Sequence, residues 1–438
     1  MDKTKRIHFI GIGGIGISAL ARFLKEQGYE VSGSDLNGSE VLKELQDEGM
    51  RVSVGHDAKA IKGAGMVIYS AAIKPDNVEL QAALKQGIPT LSRKEALPLI
   101  LHKKKVISVA GAHGKSTTSS ILAALLDSSF IIGAVDKKSG KNMQYKRSEY
   151  LVFEADESDS SFLNFPSHMA VVTNTEPEHM EHYGNNLDNF YGAYKSFLDK
   201  AKYRVLNNSD DFLKNYEKRS TRLKLEDIKN IEFRIKDYKP LISFELKDLG
   251  HFSLQGHGDF MAQNAALAVL AALKLGVDLK SIKERLLNYQ GIKKRFDLLK
   301  RSESFVLIDD YGHHPTEITC TAKGIFTYAK ALHMDEKIAI WQPHKYSRLA
   351  YNIEGFKRCF DGFDTLVIMP VYAAGESLVE LHLDKLFPKA VFAKDIKALS
   401  NSLELFLEND EKMTIDKGLA VAFNAGDLSS KLRTCLDY

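Results

Sequence analysis

The chain has few cysteines, no long apolar run and almost no excess of charge. The three cysteines show no CxxC spacing and cannot all pair, so we expect a reducing, cytoplasmic compartment: Cys320, Cys359 and Cys435. No apolar run approaches the roughly 18 residues of a membrane span, and the run Ile7–Ile10 is too short for a signal peptide. Lys and Arg total 60 against 57 Asp and Glu, so bulk charge does not favour a nucleic-acid partner.

Length and the order of predicted elements indicate three α/β domains. At roughly 150 residues per domain, 438 residues suggest three. Strands alternate with helical patterns, which predicts parallel sheets. New strand-and-loop patterns open at Lys105 and near Arg295, so we place the domains at residues 1–103, 104–294 and 295–438. Strands are predicted at Ile7–Ile10, Tyr29–Val31, Met66–Tyr69, Val106–Ala110, Tyr150–Phe153, Met169–Thr173, Phe305–Ile308, Ile338–Trp341 and Leu366–Met369.

A glycine-rich loop follows the first strand. Gly11, Gly13 and Gly16 match GxGxxG, and an apolar helical pattern continues from there to Gly28. Glycines let the backbone approach a diphosphate, and a helix N-terminus supplies amides and partial positive charge. Asp35 lies 19 residues after Gly16, a distance that suits a carboxylate on a ribose hydroxyl. The pattern alone also fits an NAD or flavin enzyme, or a tight turn without a ligand.

A second phosphate-binding pattern follows the strand Val106–Ala110. Gly111, Gly114, Lys115 and Ser116 form a shortened phosphate loop, in which the ammonium would contact phosphates and the hydroxyl would hold Mg²⁺. A helix N-cap without a nucleotide is the alternative. A dehydrogenase has no use for this loop, and a GTPase has no use for the first one. The pair therefore indicates an enzyme that binds ATP and a second nucleotide.

Acidic and histidine-containing segments follow two further strands. The stretch from Glu154 to Asp159 contains four acids, which are costly to hold together without a cation or a basic partner. His179 ends the polar stretch that begins at Asn174. Glu154 and His179 could complete a Mg²⁺ shell, although Mg²⁺ prefers oxygen ligands. A solvated acidic turn is the alternative.

Two polar clusters follow strands in the last third of the chain. The first runs from Asp310 to His314, and Gly312 within it allows a sharp turn. The second contains His344 and Arg348. A loop before a helix and a solvated charged face, respectively, are the alternatives to a binding site.

Nine motifs occur in a fixed order between residue 8 and about residue 427: GIGGIG, GAHGKSTT, EADESDSSF, TNTEPEHM, GIKKRF, DDYGHHPTEI, QPHKYSR, VYAAGE and NAGD. Together they resemble the Mur ligase family, in the branch that adds L-alanine to UDP-N-acetylmuramate. The resemblance implies an N-terminal Rossmann-like UDP-sugar domain, a central P-loop ATPase-like domain for ATP and Mg²⁺, and a C-terminal Rossmann-like domain that brings in the amino acid. ATP would convert the sugar carboxylate into an acyl phosphate, which the alanine amine would attack.

The resemblance also implies roles for individual residues. The UDP-sugar site would contain Gly11, Gly13, Gly14, Ile15, Gly16, Asp35 and Ser70. The ATP site would contain Gly111, His113, Gly114, Lys115, Ser116, Thr117, Asn264, Arg295 and Asp310. The Mg²⁺ ligands would be Ser116, Glu154 and His179. The amino-acid site would contain Tyr311, His313, His344, Lys345 and Arg348. Catalytic roles are expected for Lys115, His313 and Arg348.

The sequence departs from the family pattern at a few positions. GAHGKSTT replaces GTHGKTTT, which keeps a hydroxyl at Ser116. Lys345 replaces an arginine in QPHRYSR, so a point charge replaces a planar guanidinium. Phe260 and Met261 replace the HN that normally precedes the asparagine at Asn264.

Three alternative functions and the oligomeric state remain open at this stage. A recycling ligase that attaches a whole tripeptide to the same sugar shares most motifs, although GHHPTEI and ESDSSF favour the alanine enzyme. An NAD-dependent oxidoreductase would leave Lys115 unexplained, and a non-catalytic nucleotide-binding regulator would leave the metal set unexplained. We expect no nucleic-acid or membrane partner, and a monomer or weak homodimer.

Overall fold

A computed structural model describes residues 4–157, 161–165 and 167–433 of the chain. The chain forms two compact units: Met1–Lys229, Glu245–Phe252 and Gln263–Gln290 in the first, and Asn230–Phe244, Ser253–Ala262 and Gly291–Tyr438 in the second. The predicted α/β class is confirmed, with four separate sheets. The domain boundaries at 103/104 and 294/295 stay predictions. Within the described ranges, no helix is both long and apolar enough to cross a membrane.

The first sheet is entirely parallel and has the strand order β3-β2-β1-β4-β5. Its strands are β1 (Arg6–Ile10), β2 (Val31–Asp35), β3 (Arg51–Val54), β4 (Ala64–Tyr69) and β5 (Thr90–Ser92). Its helices are α1 (Ile15–Glu26), α2 (Glu40–Asp47), α3 (Val78–Lys85) and α4 (Arg93–Leu101). The order reverses direction at β1, and ligands of open α/β sheets bind at such a point, beyond the carboxyl ends of the strands.

The prediction of a strand at Tyr29–Val31 was wrong in its bounds. The strand begins at Val31 and continues through Ser32, Gly33 and Ser34 to Asp35. Gly and Ser are weak strand formers, so their propensity argued against this segment. Parallel pairing with β1 on one side and β3 on the other imposes the extended conformation.

The second sheet has the order β12-β11-β10-β6-β9-β7-β8, and the β7–β8 pair is antiparallel. Its strands are β6 (Lys105–Ala110), β7 (Ser129–Ile131), β8 (Met143–Gln144), β9 (Tyr150–Glu154), β10 (Met169–Val172), β11 (Tyr203–Asn207) and β12 (Thr221–Leu223). The helices of this part of the chain are α5 (Lys115–Leu126), α6 (Leu187–Lys200), α7 (Asp211–Lys214), α8 (Asp259–Lys274) and α9 (Leu279–Leu287). Short 3-10 helices lie at Ser161–Leu163, Met180–Tyr183 and Leu225–Asp227.

Two further sheets complete the fold. Three consecutive strands form a small sheet, β13 (Ile228–Lys236), β14 (Lys239–Leu246) and β15 (Gly250–Gln255). The fourth sheet has the order β16-β17-β23-β18-β19-β20-β21-β22. Its strands are β16 (Asp297–Arg301), β17 (Phe305–Asp310), β18 (Lys337–Gln342), β19 (Thr365–Ile368), β20 (Val391–Ala398), β21 (Leu403–Leu407), β22 (Lys412–Ile415) and β23 (Gly418–Asn424). Its helices are α10 (Pro315–Ala331), α11 (Tyr346–Tyr351), α12 (Ile353–Cys359), α13 (Leu383–Leu386) and α14 (Leu428–Arg433).

The central strands of the fourth sheet are buried on both faces. Alternate residues of β17 and β18 belong to separate apolar clusters, so that Ile308 and Trp341 lie in one cluster and Leu307 and Ile340 in the other. This alternation follows from the two-residue period of a strand between two helical layers. The polar residues that end these strands therefore come out at one edge of the sheet.

A neutral histidine is part of the core of the second unit. His257 is 2% exposed, and its ring centroid lies 3.8 Å from that of Phe296. Burial lowers the pKa of His257 to about 3, so the imidazole is neutral at physiological pH. Gly324 in α10 packs against the same ring, where a Cβ atom would lie 2.0 Å from Nδ1.

Replacing Gly324 by Ala should destabilise the second unit, because overpacking of this kind costs roughly 1–3 kcal/mol. Gly192→Ala is the matched control. Gly192 lies inside α6, no described atom lies within 4 Å of its Cβ position, and alanine stabilises a helix interior by about 0.5–1 kcal/mol relative to glycine. The midpoint of urea unfolding should fall for Gly324→Ala and rise for Gly192→Ala. A Gly324→Ala midpoint at or above the wild-type value would contradict the packing.

Candidate functional site

The glycine loop after β1 is held by the carboxyl end of β2. The amides of Gly11 and Ile12 donate to the Ser34 carbonyl at 2.8 and 3.0 Å, and the Gly13 amide donates to Asp35 Oδ2 at 2.8 Å. A Cβ on Gly11 would lie 3.0 Å from the Cβ of Ser70. The structure thus brings Gly11, Gly13, Asp35 and Ser70 together, and Asp35 braces the loop itself.

The remaining loop residues begin α1, and an arginine lies against them. Gly14 is the N-cap of α1, and Ile15 is 53% exposed. A Cβ on Gly16 would lie 3.3 Å from Nε and from one terminal nitrogen of Arg93. Sequence reasoning missed Arg93, because an isolated arginine at a helix start carries no motif. It adds a guanidinium beside a loop of a type that binds diphosphates.

The second glycine loop connects β6 to α5 and depends on a left-handed residue. Gly114 has φ +82°, and a Cβ there would lie 2.6 Å from Asn264 Oδ1. Only glycine allows both this backbone conformation and this close approach. Asn264, 8% exposed, therefore lies against the loop with its amide, and its role as an ATP contact stays a prediction.

Lys115 is partly buried, with its side chain 16% exposed, and its ammonium has three hydrogen-bond partners. Its ammonium donates to the carbonyls of Gly111 and Ala112 at 2.5 and 3.2 Å and to Glu157 Oε1 at 2.9 Å. Burial lowers the pKa of Lys115, but nearby carboxylates, with Glu157 first, outweigh burial and raise it. Burial also raises the pKa of Glu157 to about 7. Lys115 is therefore a fixed cation, and phosphate oxygens could replace the two carbonyls as its acceptors.

An oxygen pair suited to a hard cation lies beside this lysine. Ser116 Oγ donates to Glu154 Oε1 at 2.9 Å, and Glu154 Oε2 accepts from the Gly133 amide at 2.6 Å. One hydroxyl and one carboxylate are ligands that Mg²⁺ accepts. Within the described residues, Nδ1 of His179 lies 3.7 Å from a Glu181 carboxylate oxygen, and its ring packs on His182. Its predicted place beside Glu154 stays a prediction.

His113 and the TNTEPEH segment face each other. His113 Nε2 lies 3.1 Å from a Glu176 oxygen and 3.7 Å from a Glu178 oxygen. Thr117, next to Ser116, is buried in the first turn of α5. Ser158 and Asp159 of the predicted acidic segment lie outside the described residues, as does Cys435.

In the second unit, Asp310 is a buried brace at the end of β17. Its carboxylate accepts from the amides of Phe296 and Gly312 at 2.8 and 2.9 Å and from the Thr321 hydroxyl at 3.3 Å. Arg295, adjacent to Phe296, pairs with Glu317 at 3.2 Å. The Arg295 guanidinium carbon also lies 5.3 Å from the centroid of the Tyr311 ring. Asp310 thus holds the turn that carries Arg295 and Tyr311.

The two predicted histidines of the second unit are held as opposite tautomers. Nδ1 of His313 lies 3.1 Å from the Tyr311 carbonyl and 3.3 Å from Glu317 Oε2, both acceptors, so we assign its proton to Nδ1. His344 Nδ1 lies 2.9 Å from an Arg348 nitrogen, which is only a donor, so its proton lies on Nε2. In the neutral His313 ring, Nε2 is therefore the unprotonated nitrogen, which can accept a proton.

A turn after β18 orders the other side of this cluster. The His344 ring stacks on Tyr372 with centroids 5.6 Å apart, and its centroid lies 6.0 Å from that of His313. The Lys345 amide donates to the Tyr372 carbonyl at 2.9 Å. Tyr311, His313, His344, Lys345 and Arg348 therefore lie in one region of the second unit, as the sequence predicted. Sequence reasoning missed Glu317 and Tyr372, which orient the two imidazoles.

Both imidazoles are neutral at physiological pH. Burial lowers the pKa of His313 to about 4, against a smaller opposite effect of Glu317. Burial also lowers the pKa of His344 to about 4, with Arg348 and Lys345 acting in the same direction. Groups of this kind accept a proton only when a reacting amine brings it to them.

Comparison with known proteins identifies relatives along nearly the whole chain. Residues 6–105 match the model of the Mur ligase family, catalytic domain, and residues 109–272 match the Mur ligase middle domain. UDP-N-acetylmuramate–L-alanine ligase of Campylobacter jejuni subsp. jejuni serotype O:6 is 56% identical over 98% of this chain and 99% of its own length. The Helicobacter pylori enzyme of that name is 48% identical over 98% and 96%.

A solved structure shares the fold over the same extent. The UDP-N-acetylmuramate–alanine ligase of Thermotoga maritima superposes with a TM-score of 0.81 at 23% identity, covering 99% of this chain and 98% of its own. At that identity, the similarity shows the fold alone.

Histidine-selective ¹⁵N NMR should find His313 protonated on Nδ1 and His344 on Nε2 at pH 7, each titrating near pH 4. Folding favours the neutral rings, so their contribution to stability is complete above about pH 6.5 and is lost as the pH falls towards 4. Glu317→Gln should lower the pKa of His313 further and leave that of His344 unchanged. A His313 ring that titrates near 6.5 would contradict the assignment.

Proposed function

The chain belongs to the Mur ligase family, and we propose how its side chains carry out the family reaction. The protein is an ATP-dependent ligase that joins L-alanine to the carboxylate of UDP-N-acetylmuramate in peptidoglycan precursor synthesis. In the first step, a carboxylate oxygen of the sugar attacks the γ-phosphorus of ATP, which forms an acyl phosphate and releases ADP. The alanine amine then attacks the acyl carbon, phosphate leaves, and one proton goes to a base.

The observation that carries this proposal is the presence of two different phosphate-type loops on two sheets. The loop from Gly11 to Gly16 offers amides without a lysine, which suits a diphosphate. The loop from Gly111 to Ser116 holds Lys115 as a partly buried, paired cation, which suits the moving phosphoryl group of ATP. We assign UDP-N-acetylmuramate to the first loop, with Asp35 and Ser70.

ATP is assigned to the second loop and to the other residues that the family resemblance implies for the ATP site. Lys115 exchanges its bonds to loop carbonyls for bonds to phosphate oxygens, while Glu157 keeps the ammonium in place. The close approach of Asn264 to Gly114 supports its assignment as an ATP contact despite the changed Phe260 and Met261. The remaining proposed ATP contacts are Gly111, His113, Ser116, Thr117, Arg295 and Asp310.

Mg²⁺ is assigned to Ser116 and Glu154, with His179 as a further proposed ligand. The hydroxyl and carboxylate oxygens already meet at 2.9 Å, so the donor set fits a hard cation. Bound there, Mg²⁺ would supply charge neutralisation on the phosphate oxygens.

His313 is assigned as the base that accepts the amine proton. His344 uses Nδ1 as the acceptor of an Arg348 hydrogen bond, whereas His313 keeps Nε2 free of a proton. The Arg348 guanidinium is suited to hold the alanine carboxylate, and Lys345 adds positive charge. Tyr311 and His344 complete the amino-acid site. A cytoplasmic location and a monomer or weak homodimer remain part of this proposal.

A phosphate-release assay tests the function directly. We expect ATP hydrolysis to require both UDP-N-acetylmuramate and L-alanine, and a tripeptide offered in place of alanine to give little activity. Lys115→Ala should lose roughly a hundredfold or more in turnover, since it removes transition-state charge stabilisation. Calorimetry should find that the same variant binds UDP-N-acetylmuramate as the wild type does. Lost UDP-sugar affinity would contradict the assignment of the two nucleotides to separate loops.

His313→Gln and His344→Gln should separate the two imidazoles. His313→Gln should lower kcat by about 10²- to 10⁴-fold with little change in the KM for L-alanine, because it removes general-base catalysis. Its kcat should recover at high pH, where free amine becomes available. His344→Gln should mainly raise the alanine KM, because the Arg348 contact is loosened. The opposite pattern would make His344 the base.

A further inference from the structure

A buried carboxylate links the strand ends of the first sheet. Glu79, in the first turn of α3, is 0% exposed. Its Oε2 lies 2.6 Å from the Ser34 hydroxyl and 3.2 Å from His8 Nε2, and its Oε1 accepts from the Asp57 amide at 3.0 Å. The helix α3 is thereby bonded to β1, to β2 and to the loop after β3.

The hydrogen-bond directions around Glu79 follow from its being an acceptor only. Ser34 donates its single hydrogen to the carboxylate, so His56 Nδ1, 3.0 Å from the Ser34 oxygen, must be the donor in that contact. This fixes the proton of a neutral His56 on Nδ1 and leaves Nε2 as an acceptor.

The chain of bonds is complete on the other side as well. His8 donates from Nε2 to Glu79, and its Nδ1 lies 2.8 Å from the Ser32 hydroxyl oxygen. Arg6 donates to the same hydroxyl. Burial raises the pKa of Glu79, but the hydrogen bonds from His8, Ser34 and the Asp57 amide outweigh burial, so the pKa is lowered and the group is a carboxylate at neutral pH.

The Glu79 network reaches the glycine loop after β1 through Ser34, whose side chain bonds Glu79 and whose carbonyl bonds the loop. The carbonyl of Ser34 accepts from the amides of Gly11 and Ile12, and Asp35, which follows Ser34, accepts from the Gly13 amide. The Gly55 amide, just before His56, donates to the Asp35 carbonyl at 2.8 Å. Glu79 therefore bonds two segments that contact Asp35, a residue assigned to the UDP-sugar. Ser34 precedes Asp35 in β2, and the turn at His56 and Asp57 follows Gly55, which bonds the Asp35 carbonyl.

We propose that Glu79 is a positioning residue for UDP-N-acetylmuramate, which holds Ser34 and the His56–Asp57 turn so that the glycine loop and Asp35 are preorganised for the nucleotide. This inference rests on the proposed assignment of the UDP-sugar to the loop from Gly11 to Gly16. A fully satisfied buried network of this kind fixes geometry that one missing acceptor would loosen. Without the Glu79 network, part of the binding free energy of UDP-N-acetylmuramate would be used to order the glycine loop.

Glu79→Gln tests the proposal with nearly unchanged shape. Glutamine keeps only one acceptor oxygen, so it can accept from Ser34 and His8 or from the Asp57 amide, but not from both sides, and one side of the network loses its anchor. We expect the calorimetric Kd for UDP-N-acetylmuramate to rise about tenfold, with the Kd for a non-hydrolysable ATP analogue unchanged. If Glu79→Gln folds poorly, Ser34→Ala is the second test. It keeps the backbone carbonyl but removes the hydroxyl that donates to Glu79, so it should also raise the Kd for UDP-N-acetylmuramate. Melting temperatures are measured for each variant.

Glu95→Gln is the matched control. Glu95 also lies in the first turn of a helix of the first sheet, but its described hydrogen bonds are to Ser92 of its own helix cap. It should leave the UDP-sugar Kd within twofold of wild type. A folded Glu79→Gln with wild-type UDP-sugar affinity would overturn the inference, and so would equal loss of both nucleotides. A wild-type protein that fails to bind UDP-N-acetylmuramate would overturn the proposed function, and this inference with it.

Discussion

Parallel pairing of the central strands is the constraint on which both candidate sites of the first unit depend. Because β1, β2 and β4 run in one direction, their carboxyl ends meet at one edge, where Gly11, Asp35 and Ser70 lie. The same geometry places the loop after β6 beside Glu154 at the end of β9. In each case a helix begins where the strand ends, so backbone amides point at the edge.

The charged groups at these edges are partly buried, and each has a specific hydrogen-bond partner. Lys115 would be costly to bury alone, and Glu157 together with two loop carbonyls offsets that cost. In the second unit the buried Asp309 carboxylate accepts hydrogen bonds from the side chains of Asn424, Ser429 and Arg433. Such pairing holds the charged atoms in one position, which is what phosphate chemistry requires of Lys115.

The family resemblance supplied most candidate residues, whereas local sequence signals predicted central strands such as β1, β6 and β17 and the two glycine loops. These signals failed where long-range contacts decide the outcome. The bounds of β2 depended on pairing with strands on both sides, not on its serines and glycine. Glu79, Arg93, Glu157 and Glu317 were missed, or given no role of their own, because each acts through a partner at least four and up to 77 positions away. No spacing rule connects partners that lie tens of positions apart, and the four-residue step from His313 to Glu317 crosses from a loop into α10.

The sequence by itself determined which chemical groups are available. It placed two phosphate-type loops in order, put Lys115 and Ser116 in the second, and supplied His313 in one polar segment and His344 with Arg348 in another. Only the tertiary structure decided how those groups are used. The tautomers of His313 and His344 depend on whether the neighbouring atom is a carbonyl or a guanidinium. A titratable group takes its proton state from the atoms that folding brings against it, and the linear chain does not specify those distances.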